Sequence, residues 1–222
     1  MRLSQEFIDM LYRVPVILIT FTVHELSHGF VAYLLGDDTA KKAGRLSLNP
    51  IRHIDPVGAL MLIVMRFGWA KPVPINPNKF KKKKLGIILT SLAGPFSNLI
   101  LALLTIVPFW LIYMHYGLRT SSSSTSFTDI VITFLFQFIL VNISLGIFNL
   151  IPIPPLDGSK VLFALLPDRI YFNYVLRYER YGMILLLLLS FSGLLSKIMG
   201  PLLDTSIDLV LNLGRYIVQF FV

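Results

Sequence analysis

The sequence predicts an all-α polytopic membrane protein, with a three-helix core, additional C-terminal helices, and a short re-entrant or β-hairpin element between core helices one and two. The first observation is composition: 55% of the 222 residues are hydrophobic and only 14% are charged, which is more apolar than a soluble domain of this length requires. The second is that several uninterrupted apolar stretches reach the roughly 20 residues with which a helix crosses a bilayer. The third is the placement of Lys and Arg, which account for the net charge of +8, in short loops between these stretches.

Three long apolar segments are the predicted core helices. They run from about Phe7 to Leu35, from about Leu85 to Tyr116 and from about Thr128 to Leu150. Gly36 follows the first segment, and glycine commonly ends helices. A fourth span is expected over about Met183 to Met199, and the last apolar segment is expected either to span or to lie along the interface.

The connection between the first two core segments is not a regular helix. Its stretch VGALMLIVMRFGW is too short to span a bilayer and is typical of a re-entrant or interfacial element. The following AKPVPINPNKF is too rich in proline for helix. Its alternation of Pro, Val and Ile predicts an extended strand or a hairpin.

The basic residues predict how the chain is oriented. Lys41, Lys42, Arg45 and the run from Lys79 to Lys84 lie between the first two core segments, and a second basic group follows the third. Both loops are therefore predicted to be cytoplasmic. The serine-rich linker GLRTSSSSTSF, whose one basic residue is Arg119, is predicted to lie outside. No aromatic and basic recognition module accompanies these charges, so we expect no nucleic-acid partner. The chain has no cysteine, which excludes disulfides and thiolate metal ligands.

Three titratable residues interrupt the first apolar segment in the string HELSH. His24 and His28 are four residues apart, which places both imidazoles on one face of a helix. The pattern His-Glu-x-x-His on a helix is a zinc motif in which the two histidines bind the metal and the glutamate acts as general base. Ionisable groups in an apolar span are costly and are a functional-site hypothesis by default. The alternative is a pair of core histidines with Glu25 paired to a lysine.

A catalytic zinc site needs a third protein ligand. Most other carboxylates and histidines fall in polar loops or at the predicted outer ends of spans. Asp157 differs, because it follows the third core segment inside the Pro-rich stretch NLIPIPPLDG, on the cytoplasmic side. Irregular backbone at membrane depth is tolerated where it is buried in protein or lines a cavity. A role for Asp157 as the N-cap of a helix starting at Ser159 stays open at this point.

The strings HELSH, SLAGPFSN and NLIPIPPLDG, in this order, resemble the site-2 protease family of intramembrane zinc metalloproteases. The resemblance covers roughly residues 10 to 165, and the chain is similar to the compact bacterial and archaeal branch without PDZ or CBS domains. It implies one intramembrane metalloprotease domain over residues 1–222. The catalytic core would occupy about 7–165 and accessory C-terminal helices about 166–222.

Residue by residue, the resemblance implies one Zn²⁺ per chain with His24, His28 and Asp157 as ligands. It implies Glu25 as the catalytic base and Asn149 as a residue that helps to hold substrate. For Asn98, helix packing is favoured over a direct role at the site, and His53 is interpreted as an interfacial histidine rather than a cleft residue.

The function expected from these residues is hydrolysis of peptide bonds in or near transmembrane segments of membrane proteins. The protein is expected to be a multi-pass protein of the cell membrane, in contact with the lipid bilayer, with its active site opening toward the cytoplasm. One alternative is a membrane metal-ion transporter or sensor that uses the same His and Asp ligands, for which Glu25 would not be needed as a base. A structural membrane subunit without catalysis is disfavoured by the intact His24, Glu25, His28 and Asp157.

Overall fold

The computed structural model describes residues 2–65, 68–117, 126–167 and 176–221, and most residues in these ranges are helical. No strand is present in these ranges, so the predicted all-α class is confirmed. The α-helices are α1 (Arg2–Leu34), α2 (Thr39–Lys42), α3 (Pro56–Met65), α4 (Lys83–Tyr116), α5 (Phe127–Asn149), α6 (Asp157–Leu165), α7 (Leu176–Phe191) and α8 (Leu194–Phe221).

Helices α1, α4 and α5 correspond to the three predicted core segments and are long and apolar enough to cross a membrane. Large apolar side chains on their outer faces remain exposed, among them Leu104 at 67% and Phe96 at 51%. Such surface suits contact with lipid rather than water. Helix α4 continues through Pro95 and Pro108, as membrane helices allow when neighbouring groups satisfy the backbone.

The three core helices pack against one another along buried apolar and polar contacts. Ile106 of α4 and Ile139 and Ile143 of α5 are fully buried in one hydrophobic cluster. Polar bonds also cross the interfaces, because Asn142 Nδ2 of α5 donates to Thr20 Oγ1 of α1 over 3.0 Å. A hydrogen bond between apolar helices satisfies groups that lipid could not.

In the connection between α1 and α4, the stretch predicted to be re-entrant or interfacial forms the ten-residue helix α3. Ile54, before α3, and Ala70, after it, form an isolated antiparallel bridge, and Lys71 N donates to the His53 carbonyl over 2.9 Å. Residues 71–76 follow without regular secondary structure. The hairpin is thus reduced, within the described residues, to a single bridge that leads into an irregular segment.

The C-terminal helices differ from the sequence prediction. The predicted fourth span from Met183 to Met199 is interrupted after Phe191, and the axes of α7 and α8 are bent by 78°. Gly193 stands at the break with φ +72°, a conformation that glycine adopts at little cost. Helix α8 then packs on α4 and α5, and Trp110 Nε1 of α4 donates to the Leu211 carbonyl over 2.9 Å.

Candidate metal centre

Three donor atoms from two distant parts of the chain converge inside the helical core. His24 Nε2 and His28 Nε2 lie 3.0 Å apart. Asp157 Oδ2 lies 3.2 Å from the first and 3.0 Å from the second. All three residues are buried. The pairing of His24 with His28 follows from their separation of one helical turn on α1, whereas Asp157 arrives from a position 133 residues later.

Asp157 reaches the histidines because it opens α6 directly after the Pro-rich loop. The N-cap of α6 is Leu156 and the cap makes no side-chain hydrogen bond, so the alternative role of Asp157 as a helix cap is wrong. Gly158 allows the loop to pack tightly: a Cβ at this position would lie 2.7 Å from the Ile151 carbonyl oxygen and closer still to that of Leu150. Glycine is therefore required at position 158 because the backbone of residues 150 and 151 approaches so closely.

The second ring nitrogen of each histidine, Nδ1, also has a polar partner. His28 Nδ1 lies 2.7 Å from the Thr90 carbonyl oxygen. A carbonyl only accepts, so the proton sits on Nδ1 and the lone pair of Nε2 faces Asp157. Such an outer partner orients a metal-binding imidazole and fixes its tautomer.

Asn98 performs the corresponding task for His24. Its amide lies 3.1 Å from His24 Nδ1, and its buried Oδ1 has no hydrogen-bond partner among the described residues. The amide oxygen and nitrogen of Asn98 can be assigned in either orientation. With the two atoms exchanged, Asn98 Oδ1 accepts the proton of His24 Nδ1. The lone pair of His24 Nε2 then faces Asp157. The packing role favoured from sequence is therefore incomplete, because Asn98 also contacts a residue of the donor cluster.

The donor set fits a transition metal. The three atoms lie within 4.8 Å of one another and could hold a metal ion. Ligands about 2.0–2.1 Å from a tetrahedral zinc would be about 3.3 Å apart, close to the observed separations. Two imidazole nitrogens and one carboxylate oxygen suit zinc better than calcium or magnesium, which prefer oxygen shells.

Gly94 makes room for the cluster on the face of α4 that touches α1. A Cβ at this position would lie 2.6 Å from His24 Cε1, and closer still to His28 Nε2. Real Cβ contacts are not this short, so any other residue at position 94 would displace an imidazole. The glycine in the string SLAGPFSN thus lets α4 close over the two histidines.

A cavity of about 290 Å³ adjoins the donors. Glu25, His28 and Asp157 are among the residues that line it, together with the apolar Val73 and Phe80. Glu25 is outside the donor cluster and accepts a hydrogen bond from Val73 N over 2.8 Å. The arrangement therefore holds a carboxylate beside the donors without making it one of them.

The segment that carries Val73 is itself anchored by two buried charges. Arg45 donates to the Lys71 carbonyl over 2.5 Å and to the Pro72 carbonyl over 3.2 Å. Asp37 accepts from Asn76 N over 2.6 Å. Burial raises the pKa of the Asp37 carboxyl, but hydrogen bonds from the Thr39 hydroxyl, Asn76 N and Thr39 N bring that pKa below its ordinary value. The sequence analysis did not single out Asp37 and named Arg45 only as a basic loop residue, because these backbone partners are more than 25 residues away along the chain.

Two residues considered from sequence are not brought to the donors by the contacts in this structure. Asn149 donates Nδ2 to the Leu145 carbonyl of its own helix over 3.0 Å and is not among the residues that line the cavity, so its substrate role stays a prediction. His53 is 2% exposed, and its Nε2 lies 2.8 Å from the Ser47 carbonyl oxygen. It is therefore buried at the end of the short 3-10 helix Pro50–His53, and its interpretation as an interfacial histidine stays a prediction.

Membrane-length helices, a buried His–His–Asp donor set and an adjacent carboxylate define a class of protein, the membrane metallohydrolases. The comparisons with known proteins specify it further. The model of Peptidase family M50 matches residues 12–190, and the chain belongs to that family. The resemblance to site-2 proteases is thereby confirmed.

Curated relatives agree with the family. The chain is 43% identical over 211 residues to "Putative zinc metalloprotease YwhC" of Bacillus subtilis, covering 95% of this chain and 94% of the relative. It is 29% identical over 151 residues to proteins of Mycolicibacterium smegmatis and Mycobacterium tuberculosis that carry the same description with the name Rip2. Those matches cover 65% of this chain and 53% of the relatives' length. No solved structure matches.

The family, the relatives and the donor set together make the protein a zinc metalloprotease of the membrane. The predicted zinc cofactor is confirmed, and the enzyme is favoured over the transporter alternative.

Proposed function

We propose that the protein hydrolyses peptide bonds in or near transmembrane segments of membrane protein substrates. His24, His28 and Asp157 hold the zinc, and Glu25 is the general base. The observation that carries the proposal is the position of Glu25. Its carboxylate lines the same cavity as His28 and Asp157 but takes no part in the donor cluster. The single domain is proposed to divide into a catalytic core of about residues 7–165 and accessory C-terminal helices.

The chemistry divides between the cofactor and the chain. When bound, zinc supplies a Lewis acid and a water molecule whose pKa is lowered toward neutrality. The Glu25 carboxylate accepts a proton from the attacking water and later donates it to the leaving amine nitrogen. The bond from Val73 N to Glu25 Oε2 fixes one oxygen of the carboxylate and so limits the directions in which it can take that proton.

A substrate helix must unwind before hydrolysis, since its amides are paired internally. Residues 71–76, which lack regular secondary structure, border the cavity through Pro72, Val73 and Ile75. We propose that an unwound substrate lies along this segment in β-addition. The apolar cavity wall there suits the side chains of a transmembrane segment. Asn149 is proposed to assist in holding substrate, as the family resemblance implies.

The cavity is proposed to open to the cytoplasm. Its α4 wall consists of Ile87, Thr90 and Ser91, within three turns of the helix start at Lys83. The Lys79–Lys84 run therefore lies at the same end of α4 as the cavity, and basic loops face the cytoplasm.

The experiment measures zinc content and cleavage together, for a single-span substrate in liposomes. Glu25→Gln keeps the side-chain shape and removes its basicity, so we expect about one zinc per chain and a roughly 100-fold or greater loss of cleavage. Asp157→Asn is the matched comparison, because a ligand change should lower zinc content as well as activity. Cleavage by Glu25→Gln at the wild-type rate would refute the role of Glu25 as base.

A further inference from the structure

The second oxygen of the Asp157 carboxylate has its own partner. While Oδ2 faces the two histidines, Oδ1 accepts a hydrogen bond from Lys160 Nζ over 2.9 Å. Lys160 is three residues further along α6, so both side chains lie on one face of that helix. Lys160 also lines the cavity beside Glu25 and Asp157. The ammonium group is thus placed at the donor cluster itself.

This contact differs from an ordinary ion pair on a helix surface. Exposed pairs at this spacing contribute little to stability, because water screens both charges. Here the Asp157 side chain is only 7% exposed, although Lys160 is 47% exposed. A charge-assisted bond to a buried carboxylate is shorter and stronger than a neutral one, and it occupies an oxygen that could otherwise turn toward the metal.

The number of oxygens that Asp157 offers matters for the reaction. A catalytic zinc keeps three protein ligands and one open position for water or substrate. Carboxylates can bind metals through one oxygen or through both. With both oxygens on the metal, Asp157 would compete for the open position. A contact that holds the second oxygen of Asp157 away from the metal therefore keeps the fourth position open.

We propose that Lys160 is a positioning residue. Its hydrogen bond to Asp157 Oδ1 restricts Asp157 to one ligand oxygen and so keeps the fourth position on the metal open. The inference rests on the ligand set proposed above and not on peptide cleavage. It assigns Lys160 a task that its short bond to Oδ1 and its place on the cavity wall support.

The test replaces zinc by cobalt in the purified full-length chain, because the visible absorption of cobalt weakens as its coordination number rises. The variants are Lys160→Met, which removes the donor, and Lys160→Arg, which keeps a cationic donor. We expect wild type and Lys160→Arg to show the intense bands of four-coordinate cobalt. Lys160→Met should bind cobalt at least as tightly, with absorption per bound cobalt lower by about two-fold or more, as for a five-coordinate site.

Lys84→Met is the matched control. Lys84 Nζ donates to the Leu166 carbonyl at the end of α6 over 2.9 Å, so its loss loosens the same helix without touching Asp157. We expect its cobalt spectrum to equal that of wild type. A wild-type spectrum for Lys160→Met would overturn the inference. So would an equal decrease in Lys84→Met, or loss of cobalt from Lys160→Met, since the inference predicts more oxygen ligands and not fewer.

The measurements of cobalt binding and of substrate cleavage test different proposals. A wild-type chain that binds no cobalt would refute the proposed ligands. A chain that binds cobalt with the expected spectra but cleaves no substrate would refute the proposed protease activity and leave the role of Lys160 supported.

Discussion

At the residue scale, Gly94 is important because it has no side chain. The imidazoles of His24 and His28 occupy the space where its Cβ would be. We predict that Gly94→Ala inserts in the membrane but holds much less than one zinc per chain, because at least one imidazole must rotate away from Asp157. Metal analysis of the purified variant measures this.

Gly200→Ala is the control for that change. Gly200 lies inside α8 and a Cβ there would meet nothing within 4 Å. The substitution should keep full zinc content and slightly stabilise the helix, since alanine has the higher helix propensity. Full zinc content in Gly94→Ala would show that the two helices separate easily and that the tight approach is not required.

Residues were predictable where their spacing carries the chemistry. The pair His24 and His28 was identified from its spacing of one helical turn. Spacing left the role of Asp157 open, and only the family resemblance implied it as a ligand. The structure brings these three residues together. Gly94 and Lys160 were not identified, although the string LDGSK places a lysine one turn after Asp157. Their importance depends on which atoms face each other, and helical spacing alone does not show that.

At the scale of a structural element, the segment of residues 71–76 positions the carboxylate beside the donors. Its Val73 N–H is the donor to Glu25. We predict that Val73→Pro, which removes this donor from a segment already rich in proline, leaves zinc bound and lowers cleavage by about ten-fold or more. A hydrogen bond to a charged group contributes about 1.5–3 kcal/mol.

Val73→Ala separates the backbone donor from the side chain. It keeps the N–H and removes only the two γ-methyl groups of a buried side chain, so it should cleave faster than Val73→Pro at equal zinc content. Equal cleavage by the two variants would mean that the bond to Glu25 does not position the base. Zinc content and initial cleavage rates of both variants decide between these results.

Helix boundaries were predicted closely where an apolar run meets polar or glycine residues. Helix α1 ends at Leu34 and α4 at Tyr116, within one residue of the expected positions. The break between α7 and α8 was missed because apolar residues continue on both sides of Gly193. Ser192 and Gly193 interrupt the apolar run too briefly to predict a break, and only the backbone shows the 78° bend.

Orientation is a property of the whole molecule, and α4 provides a way to measure it. Its 34 residues, at about 1.5 Å each, make a helix of about 50 Å. This exceeds the roughly 30 Å of the hydrocarbon core. The two ends of α4 must therefore emerge on opposite sides. Lys82 precedes the helix and is exposed, and Tyr116 at the other end is 56% exposed.

The absence of cysteine in the natural chain allows each end to be labelled through a single introduced thiol. We predict that Tyr116→Cys reacts with a membrane-impermeant maleimide in intact cells, whereas Lys82→Cys reacts only after permeabilisation. The reason is the Lys79–Lys84 run, which the positive-inside rule retains in the cytoplasm. The predicted outer position of Ser121 to Ser124 lies outside the described residues, which makes Tyr116 the nearer described probe. The reverse labelling pattern would place the Lys79–Lys84 run, and with it the cavity beside Glu25, on the outer face of the membrane.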